Sequence, residues 1–429
     1  MKRAAFYTLG CKVNQYETEA MAELFKKAGY DVCQYDESAD VYIINTCSVT
    51  GMSDRKSRQI IRRAKKQNPD AVVAVCGCYA QTAADEVLAI DGVNVVIGTQ
   101  DRKNIVEIVE AQTAASSYNG VRDILRCHEF EDLSVTRYSE RTRAFIKIQD
   151  GCSQFCSYCI IPYARGPVRS RAEDDIIAEI RALAENGFKE IILTGIHVAS
   201  YGADTNTGLA SLLMKIDEID GIERVRMSSI EPMAIDSGFI NIVKASQKLC
   251  HHFHLSLQSG CDETLKRMNR KYTTAEFAGI VNGIRDYFPD AAITTDIMVG
   301  FPGETDDEFA QSLDFVKKTE FADAHIFQYS KRRGTPAARR TDQIDPQVKE
   351  QRSKLMIAET EKSRSKFLSA AVGKVEPVLF ERGSDGMYEG KTGNYITVFA
   401  PAETDISGKI LPVRLINSDN TSLTGEIIS

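Results

Sequence analysis

Gly151-Cys152-Ser153-Gln154-Phe155-Cys156-Ser157-Tyr158-Cys159 follows the short apolar run 145–148 and sets three thiols on one loop in the spacing CxxxCxxC. Three thiols so close together do not form a disulfide pair, but on a loop they can close around one metal centre. Zinc prefers four ligands and usually takes paired CxxC units. Three cysteines leave one coordination position open, as a catalytic iron-sulfur cluster needs. A zinc loop or three core cysteines are the alternatives.

Upstream of this loop, β-rich runs at 4–8, 41–45, 71–75 and 94–97 alternate with helical patterns at 17–28, 53–67, 82–89 and 103–111. The alternation predicts a doubly wound parallel α/β unit, whose ligands sit beyond the carboxyl ends of the strands. Cys11, Cys47 and Cys78 fall there, directly after Thr8-Leu9-Gly10, Asn45-Thr46 and Cys76-Gly77. They make a second candidate triad, with scattered core cysteines as the alternative. Cys76 lies two residues from Cys78 and would face the same side of a strand, so spacing does not choose between them. Cys33, Cys127, Cys250 and Cys261 match no motif and read as structural thiols. Arg55, Lys56, Arg58, Arg62, Arg63, Lys65 and Lys66 form a run without an intervening acid, a solvated helix face or a grip for RNA phosphates.

Downstream, residues 113–141 are polar and weakly periodic and read as a linker. Strand signals then recur at 144–149, 190–194, 224–228, 252–257, 292–299 and 325–329, each followed by a helical pattern. Six such units predict a partial (β/α)6 barrel with its active residues at the carboxyl ends of the strands. Gly195, Glu231, Gln258 and Gly300 lie at such ends. A carboxylate there can accept bonds from sugar hydroxyls, and glycine lets backbone approach a ligand; a capping carboxylate and loop glycines are the plainer alternatives. His197, His251, His252 and His254 read as structural histidines. Lys331 to Lys366 carries eleven basic against five acidic residues, and residues 373–429 show short strands and turns that suit a small antiparallel β-barrel. That last stretch holds five basic and eight acidic residues, so it attracts phosphate weakly; stacking by Tyr388 or Tyr395 would have to contribute to any RNA binding.

These segments resemble a known family. The CxxxCxxC loop is similar to that of the radical S-adenosylmethionine (radical SAM) enzymes. Thr8-Leu9-Gly10-Cys11-Lys12-Val13-Asn14, Asn45-Thr46-Cys47-Ser48-Val49 and Gly77-Cys78-Tyr79-Ala80-Gln81 resemble the cluster-binding segments of its methylthiotransferases. The resemblance implies one 4Fe-4S cluster on Cys152, Cys156 and Cys159 that cleaves S-adenosyl-L-methionine to a deoxyadenosyl radical. It implies a second 4Fe-4S cluster on Cys11, Cys47 and Cys78 that holds the sulfur unit, with Tyr158, Gly195, Glu231, Gln258 and Gly300 at the S-adenosylmethionine pocket. The terminal stretch, opening Gly373-Lys374-Val375-Glu376-Pro377, resembles the TRAM RNA-binding barrel. The implied organisation is a cluster-binding unit at 1–114, a radical SAM core at 138–368 and a TRAM unit at 371–429. The implied activity replaces a carbon–hydrogen bond with a methylthio group at carbon two of threonylcarbamoyladenosine, next to the anticodon of tRNA. Implied partners are the anticodon stem-loop, a reductant such as flavodoxin or ferredoxin, and a sulfur donor.

The isopentenyladenosine branch and the ribosomal-protein aspartate branch are the alternatives within the family. A cobalamin-dependent radical methylase would show an Asp-x-His-x-x-Gly segment, which is absent, and an iron-sulfur RNA-binding protein would bind RNA without chemistry. The whole chain of 429 residues, 43% hydrophobic with net charge −7, suits two or three globular domains and does not itself announce a nucleic-acid binder. No run of eighteen apolar residues and no signal-peptide core occur, so no membrane association and a cytoplasmic location are expected. Eleven cysteines in such a chain point to metal or redox chemistry rather than a disulfide framework.

Overall fold

The computed structural model describes residues 1–48, 51–135 and 142–428. Val49, the boundary at 138 and residues 136–141 of the expected linker lie outside the described residues.

The first sheet is parallel throughout and contains β1 (Arg3–Thr8), β2 (Asp31–Cys33), β3 (Val41–Thr46), β4 (Val72–Gly77), β5 (Val95–Val96) and β6 (Tyr118–Asn119), in the order β2-β1-β3-β4-β5-β6. All six residues of β3 are buried, as an apolar strand covered on both faces requires. The order reverses between β1 and β3, and a crevice opens at such a switch point beyond the carboxyl ends. Cys11 follows β1 and Cys47 follows β3, so two of the three cysteines stand at that point.

Helix α1 spans Lys12–Lys27, starting earlier than its polar first turn suggests. Val13, Tyr16, Glu17, Ala20 and Met21 are buried at helical spacing, and Tyr16 and Ala20 join the core of the following barrel. The basic helix α2 spans Gly51–Gln67. The helix expected at 82–89 is two pieces, Cys78–Thr82 and Ala84–Leu88, divided where Ala83 leaves helical geometry (φ −147°, ψ 47°).

Residues 113–135 do more than link. Strand β6 extends the first sheet beyond residue 114, Glu131 pairs with buried Arg102, and Leu133 and Val135 are buried in the central core. The sparse apolar positions concealed this, because each buries one side chain rather than a periodic face.

Strands β7 (Arg143–Asp150), β8 (Arg169–Ser170), β9 (Glu190–Gly195) and β10 (Arg224–Met227) form a sheet in which only the short β8 runs antiparallel. Strands β11 (His252–Gln258), β12 (Ala292–Val299) and β13 (Asp323–Gln328) form a parallel sheet. Parallel bridges Val225–Leu249 and Ile230–Leu255 join the two. The result is the expected partial barrel of six parallel strands, with the cysteine loop after its first strand.

Helix Pro346–Ser369 leads to a closed barrel of β14 (Val375–Ser384), β15 (Met387–Thr392), β16 (Thr397–Pro401), β17 (Ile410–Ser418) and β18 (Leu423–Ile427). It is antiparallel except for the β16–β18 pair, which closes it in parallel. Its loop at residues 393–395 fills the floor of the larger barrel. Arg226 donates to the Thr392 and Gly393 carbonyls at 3.2 and 2.9 Å, and the Tyr395 ring lies 4.6 Å below its guanidinium and stacks on His252 at 4.8 Å. Tyr395 is therefore an anchor between two barrels, not a platform for nucleic-acid bases. Tyr388 is half-buried against the small barrel's own core.

Candidate active site and its two cysteine triads

Cys11 and Cys47 meet because the chain between β1 and α1 turns at Gly10. Its φ is +110°, and a Cβ there would stand 2.9 Å from Cys47 Cβ and 3.1 Å from Cys47 Sγ. Asn14, one turn into α1, ties this crevice by donating to the Leu9 and Thr46 carbonyls at 2.7 and 3.0 Å. The third thiol arrives through Gly77 (φ +92°), where the chain leaves β4 and Cys78 begins a new helix. That turn breaks the two-residue periodicity assumed for Cys76 and Cys78. Cys76 stays in the strand among Ala4, Met21, Phe25 and Ile97, and burial pushes its thiol up to about 12. Cys78 stands within electrostatic range of Cys47 and Cys11, its thiol pushed up to about 11 by burial against the pull of Arg165. Arg165 Nε donates to Cys78 Sγ at 3.3 Å.

Cys152, Cys156 and Cys159 ring the loop after β7. Burial raises Cys152 to about 11 and Cys159 to about 12, and both feel Cys156. Arg270 Nη1 donates to Cys156 Sγ at 3.3 Å, and the Ile161 N–H donates to Cys159 Sγ at 3.4 Å. Among the described residues no three His, Cys, Asp or Glu side chains surround a point as one metal ion would require. A four-iron cube is a larger body, and its ligands stand further apart. The donor sets fit such a cube: each triad offers three thiols and has one arginine N–H already directed at a sulfur, which favours thiolate over thiol.

Of the other predicted positions, Glu231 and Tyr158 lie within electrostatic range of the thiols of Cys152, Cys156 and Cys159. Glu231 is held by Arg270 Nη2 at 2.9 and 2.7 Å and lies 3.8 Å from His197 Nε2. Gln258 is buried with φ +68°, and its Oε1 has no hydrogen-bond partner among the described residues, nor has His197 Nε2. Such orphaned buried groups are rare without a ligand or water to satisfy them. The buried phenol of Tyr158 is held well above its ordinary range, and its ring packs edge-on against Phe301 at 6.4 Å. Gly195 lies against Gln149, 2.9 Å from Oε1 were a Cβ present. At Gly300 (φ +69°) a Cβ would stand 2.3 Å from Lys349 Cγ, so helix packing explains that glycine without a ligand.

A buried ion network lies between the triads. Glu17 of α1 pairs with Arg102, with Arg165 Nη1 at 2.5 Å and with Lys147 of β7 at 2.7 Å. Lys147 also meets Asp150 at 2.6 Å, and Arg102 meets Glu131 at 2.7 Å. Burial alone would raise the Glu17 carboxyl, but Arg102, Arg165 and Lys147 hold it well below the usual carboxylate range. Asp150 is lowered likewise by Lys147, Arg165 and Arg169. This network locks α1 to the barrel. Sequence reasoning passed over Glu17, Arg165 and Arg270, because single charged residues carry no periodic or spacing signal.

A cleft of about 900 Å³ is lined by residues next in sequence to cysteines of both triads, Ser48, Tyr79 and Ile160, together with Arg58, Tyr163 and Arg333 among others. Ser48 follows Cys47, and Ile160 follows Cys159. Phe155, exposed with φ +48°, meets Tyr163 edge-on at 6.0 Å near its rim. Of the basic run on α2, Arg58 pairs with Glu86 and Arg63 with Asp36, whereas Arg55, Lys56, Arg62 and Lys66 have no ion-pair partner among the described residues. Within the basic stretch 331–366, Arg332 is not free. It is buried and donates to Ser48 Oγ at 2.7 Å and pairs with Asp54 at 2.9 Å, fastening this segment to the first sheet's unit.

Residues 3–98 match the model of the uncharacterized protein family UPF0004, and residues 146–316 match the radical SAM superfamily. The fold and the cysteine loop together define a radical SAM enzyme. The chain is 43% identical to the threonylcarbamoyladenosine tRNA methylthiotransferase MtaB of Bacillus subtilis, over 100% of this chain and 97% of that one. It is 36% identical to the tRNA-2-methylthio-N(6)-dimethylallyladenosine synthase of Pelotomaculum thermopropionicum, over 99% and 97%. The solved structure of the radical S-adenosylmethionine methyltransferase TsrM from Kitasatospora setae shares the fold, with a TM-score of 0.58 at 15% identity over 79% of this chain and 77% of that one. The chain belongs to the methylthiotransferase family of radical SAM enzymes. Membership brings S-adenosylmethionine and two 4Fe-4S clusters as its cofactors. No helix among the described residues is long and apolar enough to cross a membrane.

Proposed function

We propose that this enzyme adds a methylthio group at carbon two of N6-threonylcarbamoyladenosine next to the anticodon of tRNA. The full-length 43% identity to the Bacillus subtilis enzyme of that name favours this substrate over dimethylallyladenosine, for which the identity above is 36%. The observation that carries the chemistry is the cleft lined by residues adjacent in sequence to both triads. A substrate in it lies within reach of both.

In this reading Cys152, Cys156 and Cys159 hold one cluster, and Cys11, Cys47 and Cys78 hold the other. When bound, the first cluster and S-adenosylmethionine supply the one-electron chemistry that opens an unreactive aromatic carbon–hydrogen bond. The chain's own groups bind and orient. The Gln258 Oε1 and His197 Nε2 atoms, unsatisfied within the protein, accept or donate to the S-adenosylmethionine. Glu231, oriented by Arg270, presents a carboxylate to its ribose, while Tyr158 and Gly195 shape the pocket and Gly300 admits the Lys349 side chain behind it. Gln258 is buried and Tyr158, His197 and Glu231 are partly buried, which limits the water that reaches them. Phe155 and Tyr163 offer exposed rings on which unpaired bases stack, and Arg55, Lys56, Arg62 and Lys66 meet phosphates.

The functional units are the first sheet's unit, carried past residue 114 to the strand Tyr118–Asn119, a core at 138–368 and a barrel at 371–429, with the small barrel positioning the anticodon stem-loop. The protein works in the cytoplasm with a reductant such as flavodoxin or ferredoxin and a separate sulfur donor. The test is anaerobic incubation of the reconstituted enzyme with S-adenosylmethionine, reductant, a sulfur source and two stem-loops, one carrying each modified adenosine. Methylthiolation of the threonylcarbamoyl substrate supports the proposal. Product from the dimethylallyl substrate alone overturns it.

A further inference from the structure

The lumen of the large barrel holds a second cavity, of about 540 Å³, between the first residue of α1 and the loop that forms the floor. Its walls mix polar and apolar surface in about equal measure: Ser228, His254, Thr294, Asp296 and Arg364 contribute polar groups, and Met227 and Ala324 contribute apolar carbon. Most charged groups on it are satisfied. His254 Nε2 lies 3.3 Å from Asp296, and Arg364 lies 3.4 Å from Asp323 and donates to the Asn420 carbonyl at 2.8 Å. His252 shares the hydroxyl of Thr294, at 3.0 Å. Lys12 is the exception. It lines the cavity, is half-buried, and has no hydrogen-bond or ion-pair partner among the described residues.

The groups nearest Lys12 supply no carboxylate partner, and only Tyr395 and Cys11 favour its charge. Arg143, Arg226, His252 and Tyr395 stand around it, and the nearby carboxylates are already committed: Glu190 to Arg226 at 2.9 Å, and Glu381 to Arg143. A shielded ammonium without a counter-charge is costly, and an incoming anion removes that cost. The neighbour of Lys12 in sequence is Cys11, so a substrate that reaches the amino-terminal triad can extend an anionic group toward Lys12. The two modified adenosines differ in this respect. The threonylcarbamoyl substituent ends in a carboxylate and a hydroxyl, whereas the dimethylallyl substituent is purely apolar.

We propose that Lys12 binds the carboxylate of the threonylcarbamoyl substituent in this cavity and thereby selects the substrate. The inference rests on the substrate reading above. The shared hydroxyl of Thr294 and the serines of the wall are placed to meet the threonyl hydroxyl and the carbamoyl group. A hydrocarbon tail in the same space would leave the ammonium without a partner, so the acid is preferred.

The test compares anticodon stem-loops carrying the threonylcarbamoyl acid or its neutral carboxamide, using enzyme with both clusters loaded. Dissociation constants are read by fluorescence anisotropy, and kcat/KM by nucleoside mass spectrometry. A hydrogen-bonded charge pair of this kind should make the wild type prefer the acid by roughly ten- to a hundredfold. Lys12→Met should erase that preference, and Lys12→Arg should keep most of it. Equal use of acid and amide by the wild type overturns the inference but leaves the substrate assignment standing, and this comparison needs no variant. A Lys12→Met enzyme that retains the preference also overturns it. Product from the dimethylallyl stem-loop with none from the acid would instead overturn the substrate reading itself.

Discussion

Glu17→Gln tests whether the buried ion network is the lock between the first sheet's unit and the barrel. Four fully buried cations, Arg102, Lys147, Arg165 and Arg169, face three buried carboxylates, Glu17, Glu131 and Asp150. Glutamine preserves the shape of Glu17 but leaves four cations against two carboxylates where water is excluded. Removing one partner of a buried pair costs about 3–5 kcal/mol, because the remaining charge is uncompensated. At roughly 2–4 °C per kcal/mol for a unit of this size, the midpoint of thermal unfolding should fall by about 6–20 °C. The pH dependence has a definite sign. The folded carboxyl is depressed below its unfolded value, so its stabilisation is fully present above about pH 4 and fades as pH falls toward the folded value. The wild type should therefore lose stability on acidification below about pH 4 more steeply than Glu17→Gln. Thermal melts of metal-free protein followed by near-UV circular dichroism, at neutral and acid pH, measure both. A loss under about 1 kcal/mol at neutral pH would refute the assignment of Glu17 as the hub.

Four further outcomes follow from the same geometry. Cys78→Ala should lose the amino-terminal cluster while Cys76→Ala keeps it, as read by iron content and Mössbauer spectra; the reverse would place the strand cysteine at the metal. Full reconstitution should give about eight irons per chain, and replacing Cys152, Cys156 and Cys159 together by Ala should halve this and abolish deoxyadenosine formation. Arg165→Lys removes the Nε–H directed at Cys78 but keeps a cation, so the amino-terminal cluster's midpoint potential in an EPR-monitored titration should move negative while the other stays. Arg62→Ala with Lys66→Ala should reduce the log–log salt slope of tRNA binding by about 1.4–1.8, whereas Arg332→Ala should change stability rather than the slope.

Much of the fold was legible because it is written in periodicity. The six barrel strands fall within a few residues of their expected places, and Cys11, Cys47 and Cys78 of the first unit lie just beyond strand ends, since buried parallel strands are nearly continuous apolar runs. What failed was information held in single residues. The fates of Cys76 and Cys78 part at one glycine with positive φ, and a strand-periodicity argument does not register that turn. Tyr395 was expected to be open to bases, yet Arg226 and His252 on distant strands claim both sides of its ring. Arg332 reads as one more charge in a basic strip until Asp54 and Ser48 are brought against it across the fold. Glu17 stood only as the first residue of the helical pattern 17–28, and its role as hub was not visible because its partners come from residues 102, 147 and 165.

The most direct test of the central claim is mass spectrometry of tRNA nucleosides from a strain lacking this protein. The account predicts that 2-methylthio-N6-threonylcarbamoyladenosine disappears, that its unmethylthiolated precursor accumulates, and that the intact gene restores it while a copy with Cys78→Ala does not. Loss of the methylthio group from the dimethylallyl nucleoside instead, or an unchanged nucleoside profile, would contradict it.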